Sequence, residues 1–123
     1  MKLRIKGNSI RLRLSRSEVN QFCKEGYLEE KTEFRNSDFV YALQSKEGIP
    51  NLTANFSEGK ITMYVPVDIQ KVWADNETVS YDSKMDLGND DHLYLLLEKD
   101  FKCIDAPPNE DQSDNFENPR KVC

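Results

Sequence analysis

Apolar and polar residues alternate strictly in two separate stretches of the chain. Apolar side chains occupy every second position from Ile10 to Leu14 and again from Ile61 to Val65. A period of two residues is typical of a strand with one buried face. Each stretch therefore predicts a strand that leads into the segment that follows it.

Both following segments have the spacing of a short amphipathic helix, near residues 16–24 and 67–74. Apolar residues recur in each at positions i, i+3 and i+4, which places them on one helix face. These residues are Val19, Phe22 and Cys23 in the first segment and Ile69, Val72 and Trp73 in the second. Ser15 and Glu18 have the pattern of a capping box, and Pro66 suits a first helical position. We expect each helix to bury its apolar face.

The pattern of strand, strand, helix, strand and strand occurs twice along the chain. Polar or glycine-containing turns separate alternating segments on both sides of each predicted helix. The order is therefore ββαββ in residues 1–46 and again in residues 51–105. We interpret the two halves as an internal duplication, and the alternative is a chance similarity between two ββα units.

These elements predict an α+β domain, mainly β, built from two similar ββαββ halves. We expect the halves to form one curved sheet or partly closed barrel with two short helices. Residues 1–105 are predicted to be a single globular domain, which agrees with a length of 123 residues. Residues 106–123 form an acidic, Pro- and Asn-rich tail that is too polar to bury much surface, with Phe116 as its best anchor.

Composition favours a cytoplasmic protein. No apolar run is long enough for a transmembrane helix, and the N-terminal residues lack the pattern of a signal peptide. The three cysteines have no CxxC spacing, which is typical of reduced thiols in a reducing compartment. We therefore expect a cytoplasmic location and no membrane association.

The predicted N-terminal hairpin has one strongly basic face. The residues on that face are Lys2, Arg4, Lys6, Arg11 and Arg13. They form the candidate site for an anion or a partner, and the alternative is a solvated face that pairs with nearby acids. The net charge of −5 argues against general nucleic-acid binding. The acidic tail is predicted to lie loosely over this hairpin.

The sequence contains no motif that predicts catalysis or a cofactor. His92 is the sole histidine and follows two aspartates at a predicted turn. A metal site made from His92, Cys103 and Cys123 would lack the usual ligand spacing. No phosphate-binding loop, dinucleotide fingerprint, nucleophile elbow or zinc protease motif is present. We therefore predict no catalytic residue, no metal and no cofactor.

The two ends of the sequence carry a resemblance to a known family. The opening MKLRIKGNSIRLRL of residues 1–14, together with DQSDNFENP of residues 111–119, resembles an uncharacterised bacterial family of similar length. This resemblance runs from end to end. It implies a free-standing bacterial cytoplasmic domain, and it implies no functional residue because that family has no assigned activity.

A second resemblance lies in the order of the elements. The ββαββ order, with GKITMYVP of residues 59–66 entering a helix, resembles the swapped-hairpin transition-state-regulator fold, whose tandem forms bind DNA. Ser15 stands where that fold has a proline in the first half. Thr62 and Tyr64 leave the second hairpin without the basic residues that DNA would need.

The favoured function is a non-catalytic binding or interaction module with an unknown protein or small-molecule partner. A core and a charged surface without a catalytic constellation support this interpretation. The alternative is a small-molecule-binding barrel or small enzyme with a pocket between the halves, which would use Tyr41, Tyr64 or His92. A further alternative is DNA binding through the basic hairpin. The sequence leaves enzymatic activity open and favours its absence.

Overall fold

The computed structural model describes residues 1–101 and 114–116, which form eight strands and two helices. The strands are β1 (Lys2–Ile5), β2 (Ser9–Leu14), β3 (Tyr27–Glu33), β4 (Asp38–Lys46), β5 (Thr53–Ser57), β6 (Lys60–Pro66), β7 (Ser80–Gly88) and β8 (Asp91–Lys99). The helices are α1 (Arg16–Glu25) and α2 (Val67–Val72). The prediction of a mainly β chain with two short helices is confirmed.

The strands form two four-stranded sheets, in place of the predicted single curved sheet or partly closed barrel. Sheet A has the order β1-β2-β8-β7 and sheet B the order β3-β4-β6-β5, and the described strands form no closed barrel. The central pair of each sheet is parallel and the outer pairs are antiparallel. The prediction of one sheet was wrong because hairpins from different halves of the chain pair with each other through these parallel contacts.

The two sheets have equivalent strand orders. Replacing β1, β2, β3 and β4 by β5, β6, β7 and β8, and the reverse, converts the order of sheet A into that of sheet B. Residues distant in sequence meet at the centre of each sheet, where Ser9 pairs with Tyr94 and Val40 pairs with Lys60. Each sheet therefore needs a hairpin from both halves.

One apolar cluster joins the two sheets and the helices. Val19 and Phe22 from α1 are fully buried in it, as is Trp73, which follows α2. The large strand residues that are fully buried are Leu12, Leu14, Leu43, Met63, Val65, Leu95 and Leu97. Burial of each such side chain stabilises the fold by about 1.5–3 kcal/mol.

Helix α1 begins and ends as its sequence predicts. The backbone N–H of Ser15 donates to Oε1 of Glu18 at 2.9 Å, which is one of the two bonds of a capping box. Gly26 follows the helix at φ +76°, and its N–H donates to the carbonyl of Phe22 at 2.7 Å. A left-handed residue at this position favours glycine.

Helix α2 does not bury all of its predicted face. Val72 is 48% exposed, whereas Trp73 is fully buried and Ile69 is half-buried. The helix has six residues, so one narrow stripe can face the core, and the i, i+4 pair of Ile69 and Trp73 occupies it. Trp73 is held there by a hydrogen bond from Nε1 to the carbonyl of Thr78 at 2.9 Å. No helix in the described part of the chain is long and apolar enough to cross a membrane.

Candidate functional site

The basic residues predicted from the sequence lie on the β1–β2 hairpin. Lys6 and Ser9 exchange two backbone hydrogen bonds of 3.2 Å around the two-residue loop, and Gly7 takes a φ of +53° there. The Asn8 side chain donates to the carbonyl of His92 at 2.6 Å, and Asn8 accepts from the amide of Tyr94 at 3.0 Å. The tip of the hairpin is therefore tied to the start of β8.

Two pairs of basic side chains face each other across the hairpin. Lys2 is the direct cross-strand neighbour of Arg13, and Arg4 is that of Arg11. Side chains opposite each other in an antiparallel pair are close enough for like charges to repel. The antiparallel register therefore concentrates positive charge on one face of sheet A.

Carboxylates from the end of β8 compensate part of this charge. Glu98 is the lateral neighbour of Arg13 across the parallel β2–β8 pair. Its Oε1 forms a short ion pair with Nε of Arg13 and lies 3.4 Å from Nε of Arg11. Asp100 Oδ2 lies 3.0 Å from Nζ of Lys2. Neither carboxylate could be assigned to this site from the sequence, because the parallel pairing that brings them to the hairpin has no local sequence signal.

Arg4 and Lys6 are the two basic residues of the face that remain uncompensated. Both side chains are exposed, and no carboxylate in residues 1–101 and 114–116 lies within 4 Å of either one. Arg4 lies in β1 and Lys6 directly follows the strand, and both line the same groove near the hairpin tip. The positive charge available to a ligand is therefore concentrated at that end.

An open groove lies between these uncompensated residues and β8. It has a volume of about 200 Å³ and is lined by Arg4, Lys6, Ser9, Ile10, Arg11, Tyr94 and Leu96. A second open groove of about 280 Å³ is lined by Lys2, Leu3, Arg4, Arg11 and Arg13. Arg4 and Arg11 border both grooves. A ligand on this face would therefore meet guanidinium groups, which suit the planar oxygens of carboxylates and phosphates.

Tyr94 is a polar wall of the first groove that the sequence did not identify. Its Oη donates to Oδ2 of Asp82 at 3.0 Å, and this hydrogen bond raises the pKa of Tyr94. The hydroxyl therefore stays protonated near neutral pH. The alternation of residues along β8 could have placed Tyr94 and Glu98 on one face, but only the sheet order places that face beside the hairpin.

The three residues of the alternative pocket do not converge. Tyr41 lies between the sheets, where its Oη donates to the carbonyl of Met1 at 2.8 Å and burial raises its pKa. Tyr64 points to the opposite face of sheet B and lies under Nζ of Lys46, 4.8 Å from the ring centroid. His92 is exposed on sheet A, opposite Asp86. These positions provide no shared site for a substrate.

A buried lysine is a further feature that the sequence analysis missed. Lys99 is 7% exposed, and its Nζ donates to the carbonyl of Asn76 at 2.9 Å. Nζ lies 5.8 Å from the ring centroid of Trp73 and 5.2 Å from that of Phe116. Burial lowers the pKa of Lys99. The signal was present, because Lys99 continues the period of two that puts Leu95 and Leu97 in the core.

Residues 114–116 contact the start of α1 and the end of β8. The amide of Arg16 donates to the carbonyl of Asp114 at 2.8 Å, and the amide of Phe116 donates to that of Asp100 at 2.8 Å. The ring centroids of Phe116 and Phe101 lie 5.7 Å apart. Phe116 is therefore the anchor that the sequence suggested. The other residues of the predicted acidic tail, 106–113 and 117–123, lie outside the described residues. The prediction that the tail lies over the hairpin falls on these residues.

The cysteine and metal predictions concern mostly residues beyond the described ranges. Cys23 is a free thiol whose sulfur accepts from the amide of Ala74 at 3.2 Å, and burial raises its pKa. Cys103 and Cys123 lie outside the described residues. Within the ranges 1–101 and 114–116, no three His, Cys, Asp or Glu side chains are grouped as a metal ion would require.

Comparison with known proteins places the chain in a family whose function is unknown. Neither the curated proteins nor the solved structures include a match to this chain. A family model described as a family of unknown function, DUF7009, matches residues 1–120. The match agrees with the uncharacterised family that the two ends of the sequence resemble. The chain therefore belongs to DUF7009, a family of unknown function.

Proposed function

We propose that this protein is a non-catalytic interaction module that binds an anionic partner on the basic face of the β1–β2 hairpin. The observation that carries the proposal is the position of Arg4 and Lys6, which border an open groove and have no carboxylate within 4 Å in the described chain. Their neighbours Lys2 and Arg13 are compensated by Asp100 and Glu98. An anion bound beside Arg4 and Lys6 would offset the repulsion between the basic side chains of the hairpin.

The chemistry of the groove supports binding more than catalysis. Arginine guanidinium groups are not deprotonated in proteins, so the guanidinium groups that line the groove do not serve as general acids or bases. They can hold carboxylate or phosphate oxygens through two parallel N–H bonds. The groove is open and smaller than the pockets of about 300–1,000 Å³ that enclose small molecules. An anionic group on a larger partner fits these features better than an enclosed substrate.

The test is a binding titration with heparin, a sulfated polysaccharide that serves as the probe polyanion. Fluorescence anisotropy of labelled heparin is measured against the wild-type protein and against the double variant Arg4→Glu/Lys6→Glu. The matched control is Arg35→Glu/Lys71→Glu, which makes the same change in net charge at exposed positions of the β3–β4 turn and of α2. We expect the first variant to lose about tenfold or more in affinity and the control to lose much less.

The salt dependence of the same titration tests the mechanism. Binding through a few cations should weaken by about tenfold between about 50 and about 200 mM salt, since each contact releases a counterion. Equal losses in both double variants would mean that net charge alone drives binding, and they would overturn the proposed site. Much tighter binding of a DNA duplex than of heparin would instead favour DNA as the partner.

We also propose that the two halves arose by duplication of one ββαββ unit. The equivalent strand orders of the two sheets and the two strand-to-helix patterns support this proposal. In crystals of the protein, superposition of residues 1–46 on residues 51–105 should align β2 with β6 and α1 with α2. A best superposition that pairs other elements would contradict the duplication.

A cytoplasmic, bacterial setting completes the proposal. The reduced state of Cys23 and the absence of CxxC spacing are compatible with a reducing compartment. Fractionation of the source cells, followed by immunoblotting, should recover the protein with the cytoplasmic fraction. Recovery with an envelope or extracellular fraction would contradict this location.

A further inference from the structure

The outer edge of β1 offers backbone groups that no described residue uses. β1 is the first strand of sheet A, and β2 is its neighbour in the sheet. The two hydrogen bonds between Lys6 and Ser9 set the phase of the antiparallel ladder. Since bonded and non-bonded pairs alternate, Arg4 turns its N–H and C=O toward β2, whereas Leu3 and Ile5 turn theirs away.

The free edge therefore begins at Leu3 and continues toward the hairpin tip. No hydrogen bond from outside the β1–β2 ladder reaches Leu3 or Ile5 within residues 1–101 and 114–116. The other end is closed, because Tyr41 donates to the carbonyl of Met1 at 2.8 Å. The N–H and C=O groups of Leu3 and Ile5 are therefore available to an incoming strand.

The side chains on the two faces of this edge define the strand that would fit. A strand paired with β1 places every second residue on the basic face, beside Arg4 and Lys6, where a carboxylate is favoured. The remaining residues lie beside Leu3 and Ile5, and Ile5 is 53% exposed. An apolar side chain there would remove the apolar surface of Ile5 from water. The edge therefore matches an extended segment in which acidic and apolar residues alternate.

A second copy of the same edge does not have this complementarity. Pairing of two β1 strands would bring Lys2, Arg4 and Lys6 of one copy beside the same basic residues of the other, and like charges on neighbouring strands repel. Basic residues on edge strands commonly prevent such self-association. Here the same charges leave the edge open to an acidic strand.

We propose that β1 binds an extended acidic segment of a protein partner by strand addition, so that the segment becomes a fifth strand of sheet A. This inference rests on the proposed function, since it names the class of anionic partner and the backbone contacts that distinguish it from other anions. Main-chain bonds would supply affinity, and the alternating carboxylates would select the partner.

The test uses a fluorescein-labelled peptide with three Glu-Val repeats and two N-methylated versions of it. One version is methylated at the valine amides and the other at the glutamate amides. Whether the peptide pairs parallel or antiparallel to β1, only one of these two sets of amides faces β1, so only one version loses hydrogen bonds to the strand. We expect one version to bind about tenfold or more weakly than the unmodified peptide, and the other to bind nearly as well. Equal binding of all three peptides would overturn strand addition and leave the proposed anion binding intact.

A variant of the protein gives an independent measurement. The substitution Ile5→Pro removes the outward N–H and keeps the hydrogen bonds between β1 and β2. An edge strand tolerates proline at a position such as this, where the N–H faces away from the sheet. Ile5→Ala is the matched control, because it removes the apolar side chain and keeps the N–H. Relative to Ile5→Ala, Ile5→Pro should weaken binding of the unmodified peptide and leave heparin binding unchanged. If the wild-type protein binds neither the peptide nor heparin at low salt, the proposed function itself is contradicted.

Amide hydrogen exchange locates the bound strand directly. The N–H groups of Leu3 and Ile5 should exchange more slowly when the unmodified peptide is bound, because they would become hydrogen-bonded. The N–H of Ser80 at the start of β7, the strand at the opposite edge of sheet A, should be unaffected. Protection at Ser80 without protection at Leu3 and Ile5 would place the peptide at the wrong edge and overturn the inference.

Discussion

Arg4 lies directly opposite Arg11 across the N-terminal hairpin. Glu98 lies 3.4 Å from Nε of Arg11, but no carboxylate of the described residues lies within 4 Å of Arg4. The pair therefore keeps an unfavourable contact that one substitution could remove. Natural proteins are rarely at their stability optimum, and a substitution that relieves an unfavourable contact costs function where the contact belongs to a functional site.

Replacing Arg4 by glutamate should stabilise the protein. Arg4→Glu would turn the repulsive pair with Arg11 into an attractive one and raise the free energy of unfolding by about 0.2–1 kcal/mol. Urea denaturation monitored by circular dichroism measures this change. Arg35→Glu, at an exposed turn position, is the control and should stay within about 0.5 kcal/mol of the wild type. Destabilisation by Arg4→Glu would show that Arg4 has a structural partner.

Removing the charge of Glu98 should have opposite effects on stability and on binding. Glu98→Gln would leave Arg11 and Arg13 without their shared carboxylate and lower the free energy of unfolding by about 1–2 kcal/mol. The same variant should bind heparin more tightly, because two further cations become available. Glu47→Gln, in the loop before β5, is the control for loss of one negative charge. Lower stability without tighter heparin binding would exclude Arg11 and Arg13 from the site.

Glu18 should make stability depend on acidic pH. Burial raises its pKa, but hydrogen bonds and charge attraction from the Met1 amino group, together with the bond from Ser15, outweigh burial and lower the pKa below its ordinary value of 4.5. The unfolded state then binds the proton more readily, so this contribution is complete above the ordinary pKa and is lost as pH falls through the lowered one.

The measurement is urea denaturation at several pH values between about 3 and about 7. The difference in unfolding free energy between wild type and Glu18→Gln should be largest near neutral pH and should shrink as the pH approaches the lowered pKa. Glu47→Gln again controls for the loss of a carboxylate. A difference between wild type and Glu18→Gln that does not change with pH would mean that the charge of Glu18 is not what stabilises the fold.

Phe116 should support both the stability of the fold and the burial of Lys99. Its ring lies 5.2 Å from Nζ of Lys99 and is half-buried, so Phe116→Ala should lower the free energy of unfolding by about 1–3 kcal/mol, less than a fully buried phenylalanine would. Exposure of Lys99 should also bring its pKa back up toward the ordinary value, which an NMR titration of the lysine side chains can follow. Phe56→Ala, at an exposed ring, is the control. An unchanged Lys99 pKa would show that Phe116 does not cover this amine.

The elements of the fold could be predicted from local patterns. Alternation from Ile10 to Leu14 and from Ile61 to Val65 identified β2 and β6, because successive side chains of a strand point to opposite faces of the sheet. Ser15 and Glu18 located the start of α1 because a capping box acts within the first turn of a helix. The basic face of the hairpin followed from the same alternation, since the β1–β2 turn is local.

The pairing of the hairpins was decided by tertiary structure alone. Parallel contacts between β2 and β8 and between β4 and β6 join residues of different halves, and such contacts depend on packing of the whole core rather than on any nearby residues. They explain why two sheets form and why Glu98 and Tyr94 reach the basic hairpin. The short length of α2 likewise let Ile69 and Trp73 take the buried stripe and left Val72 exposed. The sequence by itself therefore determined the strands, the helices and the basic residues, whereas tertiary structure determined that Glu98 and Asp100 compensate part of the basic charge.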